Sequence, residues 1–189
     1  MTQNTNDLLT ELLDREKIRD CMMRYAQSID RLDSGLLETV YWPDAHDWHG
    51  DFEGNAYDVF EKIIPYLREH TIRTQHFLGG SLIRFVDSNH ADVETYSQNF
   101  HTVRNGNGSP YDLIQGGRYL DKLEKRGQEW RIIDRIVMID WVTQSAESYN
   151  YDNGVLGSAK APISARRPDD LMYSFLGDIA ATSQSGGAA

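Results

Sequence analysis

Cysteine is almost absent from this chain: Cys21 is the only one in 189 residues, so no disulfide can form within it. Its place among the apolar positions of the first helical segment reads as a small buried hydrophobe, and the expected setting is the reducing cytoplasm. Long apolar runs are also lacking. No stretch approaches the roughly 20 residues of a membrane span, and Met1 to Asp7 is polar, without the basic segment and apolar core of an export signal. Positive charge is scarce, with 19 Lys and Arg against 29 Asp and Glu, a formal net charge of −10. Such a surface repels phosphate backbones and anionic lipid, so neither nucleic acid nor membrane is an expected partner. Nucleophile elbows, phosphate loops and dinucleotide fingerprints are missing too, which leaves covalent and cofactor-borne mechanisms without support. No cofactor is expected.

What is present is a chain with 40% hydrophobic and 25% charged residues, enough for one domain with a real core and a tail. The expected division is a domain over residues 1–142 and a partly irregular extension over 143–189. From Asn6 to Ile29, Leu8, Leu9, Leu12, Leu13, Ile18, Cys21, Met22, Tyr25 and Ile29 recur mostly at helical steps, predicting one long amphipathic helix with a break near Arg15. A second short helix fits Leu36 to Val40, ended by Pro43-Asp44 before the extended Ala45 to His49. A third fits Ala56 to Glu69, with Pro65 counting against it. Thr74 to Phe85, Ala91 to Arg104, Tyr111 to Lys125 and Glu129 to Val142 then read as strands of a sheet with one solvated face.

Asn105-Gly106-Asn107-Gly108 and Lys125-Arg126-Gly127-Gln128 mark reversals between strands, and the glycosylation-like Asn107-Gly108-Ser109 reads as part of a turn. The fold class is therefore α+β, with helices covering one face of a curved sheet around a pocket. Past Val142 periodicity fades. Leu171 to Leu176 forms a compact apolar cluster suited to closing the pocket or gripping a neighbouring subunit, and Ser183 to Ala189 reads as disordered.

The candidate chemistry centres on Arg73-Thr74-Gln75-His76-Phe77-Leu78-Gly79-Gly80, which sets an imidazole among apolar neighbours with a glycine pair suited to a bulge. His101 should lie on the next strand. Tyr25 and Asp30 are five apart, about 140° around an ideal helix, and share a cavity only if the helix ends or bends near Asp30. Otherwise Asp30 is a surface cap and Tyr25 a core aromatic. His76, His101 and Asp30 also resemble a facial metal set, but the lack of H-x-H or H-E-x-x-H spacing speaks against metal. Further candidate wall residues are Trp48, His49, Phe100, Arg118, Tyr119, Arg135 and Trp141, each equally readable as sheet packing or a surface ion pair.

At these residues the chain resembles the SnoaL-like branch of the nuclear transport factor 2-like superfamily, most pointedly its scytalone dehydratases. The 73–80 segment, the interval from His76 to His101 and Asp30 after a Tyr-containing helix carry the resemblance. The Tyr25 and Asp30 pair is similar to that of bile-acid 7α-dehydratases, and the Asp30–His76 pair is shared with hexachlorocyclohexane dehydrochlorinases. Departures are Ile29 where a dehydratase tyrosine is expected, Trp48 or His49 near a second one, and Arg118 near an expected asparagine.

The resemblance implies a cone-shaped bent sheet around a deep pocket, a trimer, and a cofactor-independent lyase for an aromatic or alicyclic small molecule. In it His76, Asp30, Tyr25 and His101 would be catalytic, and Trp48, His49, Phe100, Arg118, Tyr119 and Trp141 would hold substrate. A C–C lyase releasing formaldehyde from a phenolic compound, an isomerase and a ligand-binding protein are the alternatives.

Overall fold

In the computed structural model, which describes residues 4–106, 108–151, 162–177 and 179, helix α1 (Thr5–Arg31) runs without interruption. The expected break near Arg15 is absent, because Arg15 pairs one turn back with Glu11 and also reaches the Ile83 carbonyl. The first turns stand clear of the sheet, so Leu8, Leu9, Leu12 and Leu13 are about half exposed despite their helical spacing. Further along, Ile18, Cys21, Met22, Tyr25 and Ile29 enter the core. Burial pushes the Cys21 thiol up to about 11, as expected of an inert packed side chain.

The end of α1 decides the site. Leu32 adopts a left-handed conformation (φ 52°), its N–H bonds the Ile29 carbonyl, and Asp33 N–H bonds the Ser28 carbonyl. These bonds satisfy the last carbonyls of the helix, and a leucine in this region costs roughly 1 kcal/mol. The chain turns away immediately after Asp30 and Arg31. Asp33 then caps α2 (Ser34–Leu37) through the Leu36 N–H.

Six strands follow: β1 (Tyr41–His49), β2 (Phe52–Asn55), β3 (Thr71–Phe85), β4 (His90–Val103), β5 (Tyr111–Arg126) and β6 (Glu129–Gln144). Helix α3 (Ala56–His70) separates β2 from β3, and α4 (Met172–Leu176) lies in the extension. The sheet order is β2-β1-β6-β5-β4-β3, antiparallel throughout except for β1 beside β6. The fold is an α+β sheet-and-helix cone, open rather than closed.

Three local expectations are corrected. Strand β1 starts at Tyr41, and Pro43 sits inside it where the pairing with β6 slips between Tyr41 and His46, a place where no ladder N–H is needed. Strand β2 was not foreseen, being only four residues long. Helix α3 carries Pro65 in its interior and continues to His70, held to the sheet by buried Val59, Phe60 and Ile63.

The bend expected at Gly79-Gly80 occurs as a register shift between Leu78 and Ser81. A second bulge separates Gly116 from Gly117, where a Cβ on Gly117 would meet the Met138 carbonyl oxygen at 2.1 Å. Of the predicted loop residues, Asn107 and Ser183 to Ala189 lie outside the described residues. Among the described residues no helix is long and apolar enough to cross a membrane.

Candidate active site

Inside the bend, α1 and α3 leave a cavity of about 360 Å³ against the sheet, lined by Tyr25, His49, His76, Asn99, His101 and Gln115 among largely apolar neighbours. Each side chain arrives by a simple rule. Strand residues two apart share a face, so Asn99 and His101 on β4 point the same way, and Asn99 stands across the ladder from His76 on β3.

His76 and Asp30 meet at hydrogen-bonding distance. Asp30 Oδ1 lies 2.7 Å from His76 Nδ1, and Asp30 Oδ2 accepts the His76 backbone N–H at 2.9 Å. One carboxylate therefore fixes both the main chain and the ring of the same residue. Burial raises the Asp30 pKa, but the hydrogen bonds from His76 outweigh it and leave the carboxyl below its ordinary value. An ionised Asp30 accepts a hydrogen bond from His76 Nδ1–H, which keeps the proton on Nδ1 and leaves Nε2 with the free lone pair.

The ring of His101 lies edge-on to His76 at 5.5 Å, with its Nδ1 buried and unpartnered. Burial, followed by the charge of His76, lowers the His101 pKa to about 4, so it is a neutral imidazole at pH 7. Tyr25 packs edge-on against both His76 (6.4 Å) and Tyr119 (5.3 Å). Burial keeps its phenol protonated well above the ordinary range, and its hydroxyl has no fixed partner among the described residues. Beneath Tyr25 lies Arg135, fully buried, bonded to both oxygens of Asp121 (2.6 and 2.8 Å) and stacked 3.9 Å from the Tyr25 ring.

Behind His49 on another wall, Asp47, wholly buried, accepts the Tyr41 hydroxyl at 2.8 Å, and its second oxygen stands 3.4 Å from His49 Nδ1. Among the described residues neither of those two atoms has another partner.

Of the ten residues predicted for the site, His76, His101, Tyr25 and His49 line the cavity, with Asp30 directly behind His76. Tyr119 lies one layer deeper, buried behind Tyr25 and accepting from Asn99 Nδ2 at 3.3 Å. The remaining four do not line this cavity. Trp48 follows the outward side of the β1 alternation and bonds the Gly50 carbonyl. Phe100 is offset by one from Asn99 and His101 and takes the opposite face.

Arg118 likewise turns outward, to pair with Glu94 and Asp140. Trp141 lies beyond the bulge, with its half-exposed ring over Gly116. Sequence reasoning missed Asn99, Gln115 and Asp47. Alternation from His101 points to Asn99, alternation from His49 points to Asp47, and alternation from Tyr119 along the unbroken β4–β5 ladder points to Gln115. Among the described residues no cluster of three His, Cys, Asp or Glu side chains could hold a metal ion.

With this geometry in view, comparison with known proteins gives one family: the SnoaL-like domain matches residues 10–136. No curated protein matches the sequence. Similar solved structures include a scytalone dehydratase candidate from Novosphingobium aromaticivorans (21% identity, TM-score 0.63, covering 71% of this chain and 89% of that one). Another is the hexachlorocyclohexane dehydrochlorinase LinA-type3 from Novosphingobium barchaimii (16% identity, TM-score 0.67, 75% and 97%). A third is a cystatin-like fold protein of unknown function from Nostoc punctiforme (16% identity, TM-score 0.55, 68% and 92%). At these identities the structures show a shared fold.

Proposed function

We propose that this chain, which belongs to the SnoaL-like domain family, is a cofactor-independent lyase that eliminates water from a hydroxylated aromatic or alicyclic compound. The observation that carries this reading is the 2.7 Å pairing of Asp30 with His76 at the wall of a largely apolar cavity. Asp30 holds the tautomer in which His76 Nε2 is free to remove a carbon-bound proton made acidic by a neighbouring carbonyl or phenol. The C–H electron pair forms the new C=C bond as the adjacent C–O bond breaks. The departing hydroxide takes a proton from the His76 imidazolium and leaves as water. His101, neutral at pH 7, serves as a hydrogen-bonding group rather than the acid. Tyr25, protonated and unpartnered, donates to the enolate or phenolate oxygen, with the Arg135 charge behind its ring.

A pure ligand carrier has no need of a made carboxylate–imidazole bond, so the pairing supports catalysis over carriage. The proposed setting is the cytoplasm, and the proposed assembly is a homo-oligomer, a trimer by the family resemblance. Exposed Phe77, Tyr96 and Trp141 on the outer face of the sheet support self-association.

The test is a turnover screen of hydroxylated cyclic ketones and phenols with product mass analysis. Loss of water is expected. Release of formaldehyde would replace this reading with C–C cleavage, and solvent proton exchange without mass loss would replace it with isomerisation.

A further inference from the structure

The extension beyond the family match returns to the back of the catalytic pair, and it does so with a guanidinium. Arg166 Nη1 donates to the main-chain oxygen of Asp30 (2.5 Å) and to Thr74 Oγ1 (2.8 Å), while Nη2 donates to Thr71 Oγ1 (3.0 Å). Its neighbour Arg167 donates its backbone N–H to the Arg31 carbonyl (3.0 Å) and its guanidinium to Asp33 Oδ2 (2.6 Å), which also accepts from Tyr173 (2.8 Å). Arg31 pairs with Asp170 at 3.2 Å. The end of α1, and Asp30 with it, is thus gripped by residues that lie outside positions 10–136.

We propose that Arg166 is a positioning residue for the proton-transfer pair: it fixes the Asp30 end of α1 against Thr71 and Thr74 of β3, and so holds the Asp30 carboxylate in register with His76. This rests on the dyad reading above. One guanidinium fork thus ties the Asp30 carbonyl at the end of α1 to two β3 hydroxyls, the nearer of them two residues before His76.

Charge points the same way. Arg167 has its carboxylate, Asp33, but among the described residues Arg166 bonds only to uncharged oxygens and has no ion-pair partner. A half-buried, uncompensated cation beside the pair favours ionised Asp30 and neutral imidazoles, the resting state a general base needs. His101 is faced by His76 from β3, Asp30 from α1 and Arg166 from the extension. Of these, Asp30 alone favours its protonation.

The test needs no substrate. Histidine side-chain NMR titrations are recorded on the full chain and on Arg166→Met, Arg166→Gln and Arg166→Lys, with thermal unfolding measured on the same samples. Met and Gln should move the His101 midpoint upward by about 0.5 pH unit and broaden the Asp30-bonded Nδ1 proton of His76. Lys, which keeps the charge but not the fork, should hold the midpoint and still broaden that proton.

Unchanged His101 midpoints and a sharp His76 proton in both Met and Gln overturn the proposal, even with a lowered Tm, since that is the signature of a plain clamp. A Gln variant that fails to fold overturns it as well, because a positioning role leaves the fold standing. The dyad reading fails separately, through turnover that survives His76→Ala.

Discussion

Two histidine–aspartate pairs face one cavity, and they are built differently. Asp30 comes from the end of α1 and His76 from β3, 46 residues later, and both carboxylate oxygens are spent on that single residue. Asp47 and His49 are neighbours on the same face of β1. One Asp47 oxygen serves Tyr41, and the other stops 3.4 Å short of the imidazole with both atoms unpartnered. The first pair is preorganised: ring, main chain and carboxylate are fixed before any substrate arrives. The second leaves a ring that a ligand can turn. A general base needs its tautomer set in advance, whereas a group that only binds an oxygen does not.

The sharpest break of this comparison is truncation at each ring. His76→Ala should lower kcat by about 10³-fold, the scale of a lost general base. His49→Ala should raise KM by about 5-fold, the worth of one hydrogen bond, with kcat nearly kept. Steady-state kinetics on the first compound turned over will read both, and equal losses in kcat would erase the distinction. Exchange of the carboxylates comes next. Asp30→Asn should cost about 10²-fold in kcat by freeing the wrong tautomer, while Asp47→Asn, which keeps an acceptor for Tyr41, should act mainly on stability, by about 1 kcal/mol in denaturant unfolding.

Acid separates the two carboxylate-side groups around His76. His101 binds its proton at about 4 when folded and at about 6.5 when unfolded. The unfolded chain therefore holds more protons between those values, and stability must fall as pH drops from about 6.5 to 4, by about 3 kcal/mol at the lower end. His101→Gln should flatten this window in denaturant titrations at pH 5 and 7. The Asp30 contribution has the opposite placement. Its carboxyl lies below the ordinary value, so its share is complete above about pH 4 and is lost only as pH falls further.

Much of this arrangement was legible before the fold was known, and the reasons are specific. The long strands announced themselves through β-branched alternation, and the Gly79-Gly80 bend through the only adjacent glycines in that strand. Asp30 was readable only conditionally, because five residues of helix place it away from Tyr25. The required helix end is there, made by Leu32, which is left-handed without being glycine or asparagine. The outward errors at Trp48, Phe100 and Arg118 share one cause: adjacent strand residues take opposite faces, so none of them could share the inner face with its neighbour His49, His101 or Tyr119. Arg166 was invisible because its partners are 92 to 136 residues away, in a segment without periodicity.

That parity argument supplies the smallest effect and a strict check. Arg118 sits on β5 between Gly117, on the cavity side, and Tyr119, one layer below it, yet its guanidinium leaves for the solvent face and pairs with Glu94 and Asp140. Exposed pairs of this kind contribute little and weaken with salt. Arg118→Ala should therefore keep kcat and KM within about twofold of the wild type, at low and at high ionic strength alike. A tenfold rise in KM would mean that the guanidinium reaches the ligand, so that the bulge beside Gly117 turns β5 over when substrate binds. The face assignment of Trp141, which pairs across the same bulge, would then fall with it.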